Sequence, residues 1–132
     1  MRTILLTAIF LCGILVGPAA TLPLPSQSTD LLHRTFAACV GRYSAEVEHS
    51  WLLPRRDQSR YESQRSAFLS LLDAVTPDAL RPATLNHRID AKMAHAALLN
   101  SALFSLDARQ AEWAQRRAAE EIQLCSMLLL EG

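Results

Sequence analysis

The stretch FAACVGRYSAEVEHSW, residues 36–51, decides the fold class. Phe36, Val40, Tyr43 and Val47 recur at threes and fours, Leu32 and Trp51 extend the series at either end, and no proline interrupts it before Pro54. That spacing predicts one amphipathic helix, capped by Thr29 or Asp30 and stopped by Pro54. On a helical wheel centred on Phe36, Tyr43 and Val47, Cys39 lies at the margin of the apolar stripe. Arg42 and His49 lie outside it and are expected to face water.

The same period continues along the chain. A second run from about Asp57 to Val75 carries Tyr61, Phe68, Leu69, Leu72 and Val75. A start at Thr76 and Pro77 is expected to be cut short by Pro82. A third run, from about Ala83 to Leu106, places Leu85, Ile89, Met93, Ala96, Leu99 and Leu103 on one face. The fourth opens at DARQ, where Asp107 can cap and Gln110 can reach back as in a capping box, and runs through Ala111, Ala114, Ala118, Ile122, Cys125 and Leu128. No segment alternates with period two. The expectation is therefore an all-α protein, an antiparallel up-down four-helix bundle formed by residues 29–132 as a single domain. The alanine-rich faces of the third and fourth helices are expected to let those two approach closely.

Ahead of the bundle stands MRTILLTAIFLCGILVGPAATLPLP. One arginine, an uncharged apolar run from Ile4 to Val16, and then small residues are the parts of a signal peptide. Residues 1–20 are assigned to it, with cleavage after Ala19 or Ala20, and residues 21–28, rich in proline and serine, to a linker. An uncleaved leader would make the protein membrane-anchored instead. The expected location is the periplasm or the extracellular medium. Of the thirteen basic residues only Lys92 is a lysine, a composition that suits a bacterial export product.

Loss of the leader removes Cys12 and leaves Cys39 and Cys125, for which a disulfide is the default in an exported chain. In an up-down bundle the first and fourth helices run antiparallel and bring the two cysteines to similar heights. Thirteen basic residues balance thirteen acidic ones, so nothing steers the chain toward nucleic acid.

With Cys39 opposite Cys125 as the register, Tyr43, Glu46, Arg65, Lys92, Arg117 and Glu121 fall at similar heights on or beside the apolar faces. They are expected to form a mid-bundle polar layer. It reads either as a structural ion-pair network or as a site for a small anionic ligand, with Arg65, Arg117 and Lys92 as donors. Glu46 and His49 form Glu-x-x-His, but a di-iron site needs a second such element, which is absent, so no metal and no cofactor is expected. His33, His49, His87 and His95 all fall away from the expected core faces. Trp113 and Leu124 lie off the main stripe of the fourth helix and could form a patch for another exported or envelope protein. No Ser, His and Asp arrangement on a strand-and-turn framework is present. The expected function is accordingly that of a non-enzymatic interaction or accessory protein, with a bundle that binds a small anionic ligand at the polar layer as the alternative.

The stretch QAEWAQRRAAEEIQLC, residues 110–125, resembles the end of a bacterial lysozyme-inhibitor-like helical domain through Gln110, Trp113, Arg117 and Cys125. It covers about sixteen residues, with the cysteine a helical turn late. A second cysteine pair is lacking, and no family follows from it.

Overall fold

The computed structural model describes residues 25–53 and 57–130. The expected leader and residues 21–24 of the expected linker lie outside them. The described residues are all-α: α1 (Pro25–Ser50), α2 (Gln58–Val75), a 3-10 turn (Asp78–Leu80), α3 (Arg81–Phe104) and α4 (Ala108–Leu130).

Local chemistry sets the boundaries. Asp57 caps α2, its Oδ1 accepting the Arg60 N–H at 3.2 Å. Asp107 does the same for α4, accepting from the backbone of Arg109 at 2.9 Å and of Gln110 at 3.4 Å. The expected capping box does not close. Ser105 Oγ takes the Asp107 N–H at 3.2 Å, and the Gln110 amide donates to Ser101 instead. α1 begins at Pro25 rather than at Thr29 or Asp30, because a proline in the first turn has its φ preset and no N–H to lose. For the same reason Pro82 does not interrupt a helix but sits in the first turn of α3.

Three sets of contacts give the helix directions. Phe36 meets Phe68 with ring centroids 5.9 Å apart, while Tyr43 meets Tyr61 at 6.4 Å, so α1 and α2 run antiparallel. Gly41 abuts Arg88 and Lys92, and Glu46 reaches His95, so α1 and α3 run parallel. Cys39 is bonded to Cys125 and Arg42 reaches Glu121, so α1 and α4 run antiparallel.

These contacts make α1 the central helix, buried on three sides. Val40 and Tyr43 pack with Phe68 and Leu72 of α2, with Phe36 and Tyr61 against them. Full burial of a side chain such as Phe68 contributes about 1.5–3 kcal/mol. Cys39 and Arg42 turn toward α4. A strip of small residues, Ala37, Gly41 and Ala45, is buried as well, and at Gly41 the backbones of α1 and α3 nearly touch. A β-carbon at Gly41 would collide with the Arg88 carbonyl oxygen and stand 2.9 Å from the Lys92 backbone nitrogen. The backbone-to-backbone crossing is therefore between α1 and α3, and α3 packs against α4 as well.

That approach corrects the expected face of α3. A close backbone crossing admits only limited side-chain bulk, so α3 turns Thr84, Ala91, His95 and Leu99 inward and projects Leu85, Ile89, Met93 and Leu103 outward. Met93 is 63% exposed and His95 is fully buried. His33 and His49 are buried too, and His87 is half-buried, against the expectation that all four histidines face solvent. α2 and α4 make next to no contact with each other, and a cleft opens between them.

Candidate binding cleft

Glu46 of α1, His95 of α3 and Glu121 of α4 meet where three helices converge. His95 Nε2 lies 3.1 Å from Glu46 Oε1, and its Nδ1 lies 3.0 Å from Glu121 Oε2. A neutral imidazole carries one N–H, whereas two carboxylates at these distances call for a hydrogen on each nitrogen. An imidazolium between two carboxylates satisfies both contacts. Arg42 adds a fixed positive charge, its Nε donating to Glu121 Oε2 at 3.2 Å. Arg117, half exposed, approaches the other oxygen of Glu121 at 3.4 Å. Burial alone would raise the Glu121 carboxyl. The His95 hydrogen bond and the charges of Arg42, His95 and Arg117 outweigh it and hold Glu121 below the ordinary carboxylate range.

The expected polar layer is placed as follows. Glu46, Arg117 and Glu121 come together around His95. Tyr43 is fully buried and its hydroxyl bonds Ser126 Oγ at 3.0 Å; Ser126 in turn donates to the Ile122 carbonyl, which makes Tyr43 the donor. Burial pushes the Tyr43 phenol above its usual pKa, against the opposing pull of Ser126 and Arg60. Lys92 stands apart, paired with Glu48 on the outer side of α1. Arg65 belongs to α2 and joins none of these groups; its Nε is buried without a hydrogen-bond partner among the described residues. The three cations expected to converge on an anion do not meet. Sequence reading missed Arg42 and His95, and Glu46 and Glu121 were the signal for them, since two carboxylates turned inward need a buried counter-charge.

Glu46 also lines the cleft between α2 and α4, which has a volume of about 530 Å³. Its apolar surface comes from Leu53, Leu99, Leu103 and Ile122, with Ala118 and Ala119 on the α4 wall. Its polar lining is His49, Arg60, Tyr61, Gln115, Gln123 and Ser126. Size and mixed lining are those of a small-molecule site. Trp113 and Leu124 lie elsewhere, on the outer face of α4, and are 56% and 54% exposed. Among the described residues no group of three or more His, Cys, Asp or Glu side chains is arranged to hold a metal ion, and no helix is long and apolar enough to cross a membrane.

No protein-family model matches the chain, and no curated protein or solved structure matches it.

Proposed function

We propose that this is an exported, non-enzymatic binding protein, an antiparallel four-helix bundle whose leader is removed on export and whose cleft between α2 and α4 receives a small ligand. The observation that carries the reading is the 530 Å³ cleft, lined by both apolar and polar side chains, in a chain of this size. The intramolecular disulfide between Cys39 and Cys125 fits an oxidising compartment, periplasmic or extracellular. The non-enzymatic part rests on the pairing of the acid-base groups. Glu46, His95 and Glu121 are bonded to one another and hold three helices together, a structural use of their charge.

A second reading is favoured by the apolar residues left outside, Trp113 and Leu124 on α4 and Leu85, Ile89 and Met93 on α3. Such surfaces suit an accessory protein that docks on an envelope partner.

Amide spectra of the exported protein, recorded with and without a small-molecule fragment set, separate the two. Saturable shifts at Gln115, Ala119 and Gln123 are expected for the cleft reading. A protein that answers to no fragment there, but broadens at Trp113 and Leu124 when envelope extract is added, would reverse the order. Intact mass on the same sample tests export: the leader is expected to be gone and two alkylatable thiols to appear only after reduction.

A further inference from the structure

Two charged residues of opposite sign line the cleft, and the structure treats them differently. Glu46 has 3% of its surface exposed and gives one carboxylate oxygen to His95, so its charge is answered inside the protein. Arg60, on the opposite wall, is exposed, and its guanidinium makes no ion pair or hydrogen bond among the described residues. Asp57, three residues before it, takes the Arg60 backbone N–H and acts on the guanidinium only through space, without an ion-pair contact. Gln115 and Gln123, across the cleft on α4, likewise make no side-chain hydrogen bond among the described residues. A guest would therefore meet a positive charge with no direct partner, neutral amides, and the apolar side chains of Leu99, Leu103 and Ile122.

We propose that the cleft binds a monomeric amphiphile with one apolar chain or ring and a carboxylate head, the head on Arg60 and the body against Leu99, Leu103 and Ile122. The inference rests on the cleft being the binding site. An ammonium head would face Arg60 with Glu46 already engaged by His95. An alcohol can accept a single neutral hydrogen bond from the guanidinium, which a glutamine amide supplies as well, and leaves the charge unpaired. A carboxylate accepts from the guanidinium in a charge-assisted bond, the stronger kind. The same head chemistry occurs free in solution and on a bilayer of anionic lipid; a single cleft of this volume suits the free molecule.

The test uses the disulfide-intact mature protein and three probes of equal chain length: sodium octanoate, 1-octanol and octylammonium chloride. Binding is read from amide shifts at Gln115, Ala119 and Gln123. Octanoate is expected to saturate at a concentration about tenfold lower than octanol, the effect of one charge-assisted bond. Arg60→Gln, at an exposed position that leaves the fold alone, is expected to remove that tenfold advantage and to leave octanol unchanged. Ala119→Trp, which fills the cleft from α4, is expected to abolish both. Equal affinity for octanoate and octanol, or tighter binding of octylammonium, overturns the head-group assignment while the cleft stands. Failure of all three probes to shift the cleft residues overturns the cleft reading itself. Sedimentation with phosphatidylglycerol vesicles, without saturable binding of octanoate, overturns the free molecule in favour of a membrane surface.

Discussion

Gly41 of α1 and Arg88 of α3 meet backbone to backbone, with no room for a β-carbon between them. The obstacle is a carbonyl oxygen, and the Lys92 nitrogen and Ala91 β-carbon close the other sides at 2.9 and 3.0 Å, so no flexible side chain can swing away. Gly41→Ala therefore has to push the two helices apart. Helix propensity favours alanine by about 1 kcal/mol, and overpacking costs about 1–3 kcal/mol, more where the backbone itself must move. Net destabilisation of about 1–2 kcal/mol is expected in urea unfolding, and Gly41→Val, bulkier and β-branched, is expected to cost more. An unchanged midpoint for Gly41→Ala would mean the crossing is looser than described.

His95 bridges two carboxylates from different helices. His95→Leu leaves the buried Glu46 and the half-buried Glu121 without their shared partner, and breaking a buried pair by removing one member costs about 3–5 kcal/mol. A double-mutant cycle with Glu46→Gln checks the assignment. The two changes are expected to be less than additive, with a coupling of at least about 0.5 kcal/mol. Strict additivity would show that Glu46 and His95 act independently.

How much of this was legible in the sequence divides along a physical line. The starts of α2 and α4 were readable because their causes are local, Asp57 and Asp107 capping through contacts within three residues, whereas Pro25 and Pro82, read as part of a linker and as a break, sit in first turns. The bridge between Cys39 and Cys125 was readable by counting. Side-chain placement failed where it depended on which helix is central. A wheel with one apolar stripe assumes one buried face, but α1 is buried on three, so Arg42 and His49 were assigned to water although they are half-buried and buried. The same assumption sent Leu85, Ile89 and Met93 to the core and His95 to the surface. The clue was Ala37, Gly41 and Ala45, spaced by four: a strip of small residues marks a close helix crossing, and α3 had to answer it with its less bulky face.

Acid should loosen the cluster through Glu121. Its folded-state pKa is depressed, because hydrogen bonding from His95 and the charges of Arg42, His95 and Arg117 overcome the effect of burial. The unfolded chain therefore takes up this proton at higher pH than the folded one. The resulting stability is fully present above the unfolded carboxylate value of about 4.3 and is lost as pH falls through the depressed folded value. Thermal melts of wild type and Glu121→Gln at pH 7, 5 and 3 should show a gap that is widest at pH 7 and narrows toward pH 3. A gap independent of pH would assign the loss to packing rather than to charge.

The disulfide ties α4 to α1, a helix it otherwise touches far less than α3. α4 packs mainly along α3, and its ties to α1 include the Arg42 to Glu121 and Tyr43 to Ser126 contacts, the packing of Ile122 and Leu129, and the bond between Cys39 and Cys125, which are 86 residues apart. Closing a loop of that size stabilises the fold by about 4 kcal/mol on the chain-entropy model. Replacing both cysteines by serine is expected to remove most of that in urea unfolding and to act unevenly along the chain. Amide exchange should quicken across α4 from Gln115 to Ser126, while the crossing of α1 and α3 at Gly41 keeps its protection, since that contact does not involve α4. Equal exchange in α4 with and without the bond would show that α3 alone suffices to hold it. Uniform loss of protection in all helices would show that the protein opens as one cooperative unit.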